Sequence, residues 1–384
     1  MTLLESWRAV SRFQRRAETW RRIVFFAESR QDWHHLAPLV DRLTGLLGRS
    51  VCYLTSDAED FAFARESERL RVYHVPAGWP LMLAFKALRA DLLVLTMMDL
   101  GNLQLRRSAH PVHYLYVFHS LGSTHMVDCA NSYDHYDTLL CAGPHQMREI
   151  QRREEREGLP PKQLIAHGYA RLEDLIARAA ASTYRRGTPL SVLVAPTWGP
   201  QSLLPVCGRA LIEVLLEAGF RVIVRPHYET QRQSPEVIRA IRDRFEAHSR
   251  FEYVDRMGDV DTLLRSDVLV SDWSAMAIEY SLGLVRPVLF VDVPPRVRNP
   301  RYRELDLEPL EVSIRERVGG ILPPDALGEA PARILRLVSD QRGLAERIDK
   351  LRGELVFNPG SSAEVGAQVI ACIADEQSRG RRTP

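Results

Sequence analysis

Short apolar runs alternate with helical stretches along almost the whole chain, and this alternation is the feature that most constrains its fold. In the first half the runs are RIVFFAES, SVCYLTSD, RVYHVP, ADLLVLTM, HYLYVFHS and DTLLCAG. In the second half they are LSVLVAPTW, FRVIVRPH, FEYVD, DVLVSDW and RPVLFVD. Strands alternating with helices at this spacing are typical of βαβ units, so we predict an α/β protein with largely parallel sheets.

The pattern stops once, at ARAAASTYRRGTP, and then begins again. Small residues, a basic pair, Gly and Pro indicate a linker, and 384 residues are enough for two domains. We therefore predict two Rossmann-like, doubly wound domains that face each other across a cleft. The predicted boundaries are residues 1–22 for a basic helix, 23–180 and 188–345 for the two domains, 346–375 for C-terminal helices and 376–384 for a disordered tail.

The N-terminal segment LLESWRAVSRFQRRAETWRR has apolar residues at three- and four-residue steps, with arginines between them. A basic amphipathic helix with two tryptophans can lie on an anionic membrane surface. It can equally dock on its own domain and leave its arginines in water. Both interpretations of residues 1–22 stay open at this stage.

Composition excludes several classes of protein. The formal net charge is only +2, so no nucleic acid partner is expected. The five cysteines form no CxxC pair, which argues against a zinc site or a disulfide framework. No apolar run approaches the ~20 residues of a membrane span, and no signal peptide is recognisable. We expect a cytoplasmic protein with reduced thiols that can act at the inner face of the cell membrane.

Chemically capable side chains follow the ends of several predicted strands. Because parallel strands place their carboxyl ends at one edge of a sheet, where ligands of open α/β sheets bind, these residues are predicted to converge. In the first half they are His119, Ser120, Gly122, Ser123 and Thr124; in the second they are Thr197, Trp198, Arg225, His227, Ser271, Asp272, Ser274, Glu279 and Asp292.

The most specific of these signals are RPH and SDWS. Arg225 can form two bonds to phosphate oxygens, and His227 supplies a second donor. Ser274 precedes a predicted helix, where a hydroxyl can cap the helix or bind a phosphate. Glu279 lies about two turns beyond Asp272 and could accept hydrogen bonds from a ribose diol, as acids of nucleotide sites do.

Familiar catalytic signatures are absent from the sequence. It has no GxGxxG after its first strand, no GxxxxGK[ST], no GxSxG and no HExxH. We therefore expect neither a dinucleotide oxidoreductase nor a P-loop enzyme, and we predict no metal site and no cofactor.

The motifs VLVAPTW, VIVRPH and DVLVSDWSAMAIEYSLGLVRPVLF, in this order and spacing, resemble the C-terminal half of the CDP-glycerol glycerophosphotransferase family. The resemblance extends back to FHSLGSTHMVDCANSYDHYDTLLCAG, which looks like the family's histidine-bearing loop, and covers roughly residues 110–300. It implies a GT-B fold and an enzyme that builds teichoic-acid-type or capsule polymers. The family loop usually reads His-Gly-Thr-Pro followed by a basic residue, whereas this chain has HSLGST, so it departs from the family on the acceptor side.

By position, the resemblance implies that His119 is the general base on the acceptor hydroxyl and that Arg225 and His227 hold the donor pyrophosphate. Ser271, Asp272 and Ser274 match the turn at the donor phosphates, with Thr197 beside them, and Glu279 matches the acid at the ribose. Ser120, Gly122, Ser123 and Thr124 form the acceptor-side loop, and His227 is also a candidate catalytic group. The implied partners are CDP-glycerol or a related nucleotide-diphospho donor and a lipid-linked or polymeric glycan acceptor.

Three other functions fit the same pattern. A GT-B glycosyltransferase would use a nucleotide sugar. A nucleotide-sugar 2-epimerase would need acids at the sugar ring, for which Glu28, Asp128 and Asp134 are candidates. A peripheral membrane regulator would bind a nucleotide without turnover.

Overall fold

A computed structural model describes residues 11, 13, 15, 20–98, 100–101, 105–255 and 260–380. Its α/β elements fall into two compact units. The first contains residues up to Ser120, Asp128–Arg171 and Val356 onward, and the second contains Leu121–Val127 and Leu172–Leu355.

The first unit is built on a seven-stranded sheet in which every pairing is parallel. The strand order is β3-β2-β1-β4-β5-β6-β7, which is the Rossmann order with one further strand. The strands are β1 (Ile23–Ala27), β2 (Val51–Thr55), β3 (Leu70–His74), β4 (Leu92–Leu95), β5 (His113–Val117), β6 (Thr138–Cys141) and β7 (Gln163–Ala166).

The second unit has a six-stranded parallel sheet in the order β10-β9-β8-β11-β12-β13. This is again the Rossmann order. The chain adds strands outward from β8 in one direction as far as β10 and then in the other direction from β11, so the strand order reverses between β8 and β11. The strands are β8 (Ser191–Val194), β9 (Arg221–Val224), β10 (Phe251–Tyr253), β11 (Val268–Ser271), β12 (Val288–Val291) and β13 (Gly319–Leu322). The predicted fold class is confirmed.

Helices connect these strands. In the first unit they are α1 (Trp33–Asp41, continued by a π-helical turn at Arg42–Leu46), α2 (Trp79–Lys86) and α3 (Pro144–Glu157). The next helix, α4 (Ala170–Ala181), begins in the first unit and belongs to the second from Leu172 onward. The second unit has α5 (Arg209–Glu217), α6 (Tyr228–Gln233), α7 (Pro235–Phe245), α8 (Asp261–Leu264), α9 (Met276–Leu284), α10 (Leu310–Ser313), α11 (Arg315–Val318), α12 (Ala330–Ser339) and α13 (Gln341–Leu355). The last helix is α14 (Ser362–Gly380).

Each sheet has its own core, because strands covered on both faces are apolar along their whole length. All five residues of β1 are buried, as are all four of β8 and β12. In the first unit, Leu36 and Leu39 of α1 and Ile370 of α14 pack in the same cluster as these strands. In the second, Leu211 and Ile212 of α5 and Ile334 of α12 do so.

The C-terminal region differs from the expected disordered tail. Residues 376–380 are the end of α14, and residues 381–384 lie outside the described part of the chain. The helix continues because its inner face is anchored: Ile373 and Ala374 are buried, and Asp375 forms ion pairs with Arg22 and Arg49. Although α13 and α14 are neighbours in sequence, α13 belongs to the second unit and α14 to the first.

The predicted linker also begins inside a helix, because α4 extends to Ala181. Most of the predicted basic helix at residues 1–22 lies outside the described residues. Of the residues that are described, Phe13 is 1% exposed and its ring centroid lies 5.8 Å from that of Tyr73. Arg71 lies 5.6 Å from the Trp20 ring, so the described part of this segment packs on the first unit.

Candidate active site

The predicted donor-site residues of the second unit follow three neighbouring strands. Thr197 comes after β8, Arg225 and His227 come after β9, and Asp272 and Ser274 come after β11. Because β9, β8, β11 and β12 are adjacent and parallel, these residues share the carboxyl edge of the sheet. The turn after β11 stands at the reversal of strand order, which is where open α/β sheets bind ligands.

Asp272 holds the backbone of this edge in place. The side chain is 1% exposed; one carboxylate oxygen accepts from the N–H of Thr197 at 2.7 Å and the other from the N–H of Leu203 at 3.0 Å. Burial raises the pKa of Asp272, and the hydrogen bonds from Leu203 and Thr197 oppose that rise. The carboxylate therefore fixes the loop after β8, a role that suits an acid better than direct contact with an anionic phosphate.

Ser271 has a similar structural task, since its buried hydroxyl donates to the carbonyl of Ala195 at 2.9 Å. Ser274 differs. It is half-buried, and within the described part of the chain its hydroxyl has no hydrogen-bond partner and does not cap α9. The contact of the Ser274 hydroxyl with a ligand at the N-terminus of α9 stays a prediction.

Glu279 lies in the first turn of α9 and is 7% exposed. An acid there interacts favourably with the helix dipole. Its contact with a ribose stays a prediction.

Arg225 lies buried beneath the same edge, with 7% of its surface exposed. One terminal nitrogen of its guanidinium donates to the Thr262 hydroxyl at 2.7 Å, and the other contacts the sulfur of Met276, the first residue of α9. The arginine thus places a fixed positive charge next to the N-terminus of α9, where helix dipole and cation both favour an anion.

His227 is neutral at pH 7. Burial first, and then the nearby positive charge of Arg296, lower its pKa to about 4, although Glu229 acts in the opposite direction. Its Nδ1 accepts from the backbone N–H of Glu229 at 3.1 Å, so the neutral ring carries its proton on Nε2 and can donate from there. A neutral His227 can still supply the second donor that the sequence predicts, through Nε2–H.

Two arginine–aromatic pairs at this edge were missed by sequence reasoning. The guanidinium carbon of Arg296 lies 3.9 Å from the centroid of the Trp198 ring. The centroids of the Trp198 and His227 rings are 6.0 Å apart. The guanidinium of Arg315 lies 4.3 Å from the ring of Trp273. The only available signal was the presence of a tryptophan after each of two strands, because their partners lie far along the chain.

Arg315 is 4% exposed and donates to a carboxylate oxygen of Asp292 at 2.8 Å. The Trp273 indole N–H donates to the carbonyl of Val293 at 2.7 Å. These contacts fix the aromatic residue of the SDWS turn and give a role to Asp292, which the sequence had placed at this edge without a partner.

His119, in the first unit, follows β5 and is held from both sides. Its Nδ1 is 3.1 Å from the hydroxyl oxygen of Tyr116, and its backbone carbonyl accepts from the Tyr169 hydroxyl at 2.9 Å. The ring of His35 is 5.7 Å away. Burial lowers the pKa of His35 well below its usual value, so that ring is neutral.

The loop after His119 does not remain in one unit. The carbonyl of Ser120 accepts from Gln146 at 2.9 Å in the first unit, whereas Leu121–Val127 belongs to the second. There the backbone N–H of Ser123 donates to Glu311 at 2.9 Å, and Gly122, Ser123 and Thr124 are buried. The expectation that these three loop residues face the acceptor stays a prediction.

No group of three or more His, Cys, Asp or Glu side chains in the described ranges is arranged to hold a metal ion. Across those ranges, no helix has the length and apolar character needed to cross a membrane.

The sequence comparison bears on these same elements. Residues 120–293 match the model of a family described as CDP-glycerol:poly(glycerophosphate) glycerophosphotransferase. The chain is a glycerophosphotransferase-like enzyme. The matched residues contain the loop after His119 and the RPH and SDWS turns, so the predicted resemblance is confirmed where its motifs lie. No curated protein matches the chain in sequence.

Solved structures resemble the fold of this glycerophosphotransferase-like enzyme over nearly its whole length. The wall teichoic acid polymerase TagF, in a structure with CDPG, has a TM-score of 0.59 at 15% identity and covers 98% of this chain and 100% of its own. S. aureus MnaA with UDP has a TM-score of 0.58 at 11% identity, and the match covers 95% of this chain and 99% of MnaA. A UDP-N-acetylglucosamine 2-epimerase from Rickettsia bellii has a TM-score of 0.57 at 11% identity, and the match covers 94% of this chain and 98% of the epimerase. At these identities the likeness concerns the fold.

Proposed function

We propose that this enzyme transfers a glycerol phosphate, or a related polyol phosphate, from a CDP-linked donor to a hydroxyl of a cell-envelope polymer or lipid-linked acceptor. The match of residues 120–293 to the glycerophosphotransferase model carries the proposal. The anion-favouring edge of the second sheet supports a nucleotide-diphospho donor there. CDP-glycerol is the donor named by that family.

In the proposed reaction, Nε2 of His119 takes the proton of the acceptor hydroxyl. The acceptor oxygen forms a bond to the β-phosphorus, and the bond from that phosphorus to the bridging oxygen breaks, so CMP leaves with the bond's electrons. Arg225, the Nε2–H of His227 and the positive end of the α9 dipole oppose the negative charge that grows on the phosphates. The proton on His119 then passes to solvent.

A CMP-release assay with donor and acceptor tests the role of His119. The variant His119→Ala is expected to lose about 10²–10⁴-fold in turnover, while CDP-glycerol still binds in a calorimeter because the donor groups are intact. His110→Ala, which removes a histidine bonded to Arg89 on another loop, is the control and should keep its rate. Normal turnover of His119→Ala would rule this base out.

The epimerase alternative is less well supported, because two of the acids that it would need at the sugar ring bind side chains of the protein. Asp134 binds Arg153 through both carboxylate oxygens, at 2.6 and 3.0 Å, and Asp128 accepts from Tyr133 at 2.5 Å. A binding comparison separates the alternatives: preference for UDP-GlcNAc over CDP-glycerol would favour an epimerase or sugar transferase. Binding without turnover would favour a regulator.

We further propose a cytoplasmic enzyme that meets its acceptor at the inner membrane face, with the basic segment 1–22 contacting anionic lipid. The support is the arginine-rich pattern of that segment. Deleting residues 1–22 should abolish co-sedimentation with phosphatidylglycerol vesicles. If the full-length protein and the deletion variant sediment equally, the segment does not bind lipid. Its role is then to dock on the first unit, as Phe13 does.

A further inference from the structure

One helix of the first unit, α2, exposes apolar side chains. Trp79 is 44% exposed, Met82 42% and Leu83 41%. With Lys86 at the end of the helix, these residues are separated by three and four positions, so they share one side of α2, its outer face. The exposed side of a surface helix normally carries charged and polar residues, whereas Lys86 is the only charged residue of α2.

The inner face of α2 fixes the orientation of the helix. Its buried residues are Pro80, Leu81, Ala84 and Phe85. The Phe85 ring packs edge-on against the ring of Phe26 in β1, with the two centroids 5.0 Å apart. The helix is therefore held on the sheet through one apolar face and presents a second apolar face outward.

The surroundings of the outer face are basic. Lys86, Arg89 and Arg106 are exposed. The loop that carries Arg106 packs at the end of α2, because the Ser108 hydroxyl donates to the carbonyl of Lys86 at 3.3 Å. The sequence has no Asp or Glu between residues 72 and 89. Apolar side chains bordered by Lys and Arg complement an anionic lipid surface, since the apolar groups enter the acyl boundary and the cations contact headgroups.

The position of the outer face suits a membrane-bound acceptor. Because α2 follows β3, Trp79 in its first turn lies at the carboxyl edge of the first sheet, the edge at which His119 follows β5. Tryptophan is enriched at membrane–water interfaces, where its ring is in apolar surroundings and its N–H meets polar groups. A bilayer against α2 would present acceptor headgroups to the edge of the sheet that carries the proposed base.

We propose that the outer face of α2 docks on an anionic lipid bilayer, with Trp79, Met82 and Leu83 at the acyl boundary and Lys86 among the headgroups. The inference rests on the proposed function, in which the enzyme meets its acceptor at the inner membrane face. It is distinct from the role proposed for residues 1–22, because α2 contributes apolar burial where that segment contributes charge. Stable membrane attachment takes two such signals, since one alone gives only marginal, reversible binding.

Co-sedimentation of the full-length protein with vesicles of phosphatidylglycerol and phosphatidylcholine tests the proposal. The double variant Met82→Gln/Leu83→Gln should lower the partition coefficient at least about tenfold, because two apolar side chains no longer leave water. Glutamine forms helices about as well as methionine and leucine do, so the fold is kept, which circular dichroism checks. Leu335→Gln is the matched control: Leu335 is 54% exposed on α12 of the second unit, and this variant should sediment like the wild type. Wild-type sedimentation of the double variant would overturn the proposal.

A charge reversal tests the basic end of the outer face. Lys86→Glu should weaken binding to vesicles that contain phosphatidylglycerol, and the difference from the wild type should shrink at high salt. Lys350→Glu makes the same charge change on α13 of the second unit and should bind like the wild type. An equal loss in both variants would mean that net charge alone matters and would contradict the role of Lys86.

Fluorescence quenching by brominated phosphatidylcholine in the same vesicles measures contact with the acyl region. Part of the wild-type tryptophan emission should be quenched. Trp79→Phe keeps an apolar ring and should still sediment, but it should lose that part of the quenching. Equal quenching of the wild type and Trp79→Phe would place another tryptophan in the bilayer and overturn the assignment to α2.

Two further results would reject the proposal. If sedimentation velocity shows a wild-type dimer that Met82→Gln/Leu83→Gln converts to a monomer, with vesicle binding unchanged, the outer face binds a second copy of the chain. If only the deletion of residues 1–22 abolishes vesicle binding, that segment is the sole anchor. Vesicle binding is measured without turnover, so an absence of CMP release would refute the proposed function and leave the result for α2 standing.

Discussion

Within the SDWS turn, neighbouring side chains have different tasks, and mutations can separate them. Asp272 satisfies the buried N–H groups of Thr197 and Leu203. Replacing it by Ala leaves both N–H groups without a partner, at about 1–3 kcal/mol each. We expect Asp272→Ala to lower the free energy of unfolding by several kcal/mol in urea titrations of the second unit.

Ser274→Ala is the contrasting variant, since within the described residues its hydroxyl bonds to nothing. The free energy of unfolding should stay within about 0.5 kcal/mol of the wild-type value. The Kd for CDP-glycerol should rise, because a phosphate oxygen loses a donor; calorimetry measures it. Equal destabilisation by both variants would show that the hydroxyl of Ser274 has a structural role.

At the residue scale, the sequence predicted positions better than partners. Ser271 ends β11, and Asp272 and Ser274 follow it as expected, because an apolar run followed by polar residues marks the end of a strand. That Asp272 accepts from Leu203, 69 residues earlier, depends on which strands become neighbours. The neutral state of His227 likewise comes from burial and from Arg296, neither of which is visible in the motif RPH.

At the scale of elements, β13 was missed because its sequence, GGIL, has too few side chains to read as a strand. Its first glycine is required by close packing in the sheet. A Cβ on Gly319 would lie 1.7 Å from the carbonyl oxygen of Val288 in the neighbouring β12, whereas one on Gly320 would meet only Leu337 side-chain atoms at 3.8 Å. Gly319 therefore has to lack a side chain for β13 to pair with β12, whereas Gly320 does not.

Gly319→Ala should destabilise the second unit by about 1–3 kcal/mol or more, because backbone atoms have to move. Gly320→Ala is the matched control and should change stability little. Urea unfolding followed by circular dichroism measures both. If the two variants unfold at the same urea concentration, β12 and β13 do not approach as closely as described.

The segment Leu121–Val127 follows the candidate base His119 and belongs to the second unit. Asn299 donates to the carbonyl of His125 at 2.9 Å and Glu311 accepts from Ser123 at 2.9 Å, so both hold the loop that follows His119. We expect Glu311→Ala to speed hydrogen exchange at 121–127 and to lower kcat, while Glu311→Gln, which keeps an acceptor, restores both. Unchanged exchange in Glu311→Ala would show that Glu311 does not hold the loop.

At the scale of the whole molecule, two Rossmann-like units were predictable because helical stretches separate the apolar runs in each half. The assignment of segments to units was not. The chain returns to the first unit at Val356, and α14 packs beside α1, since a Cβ on Gly366 would lie 2.5 Å from a methyl carbon of Leu39. Such long-range packing leaves no local pattern, which is why α14 was grouped with α13.

The same packing makes stability depend on pH. His167 is 2% exposed beside α14, and burial lowers its pKa to about 4; burial also lowers the pKa of His35. In the unfolded chain these histidines bind protons below about pH 6.5. Their neutral, buried state therefore contributes full stability above pH 6.5 and loses it as the pH falls, for His167 down to about pH 4.

For His167 alone the loss approaches about 3 kcal/mol at the acid end of this range. The raised pKa values of Asp60 and Asp272 act in the opposite direction, so the wild-type profile is a sum. The variant His167→Phe isolates one contribution: in urea titrations at pH 7.5, 6, 5 and 4.5, its free energy of unfolding should fall less steeply than that of the wild type. Parallel profiles would mean that His167 is protonated in the folded protein, and that α14 packs on the first unit more loosely than its buried surface implies.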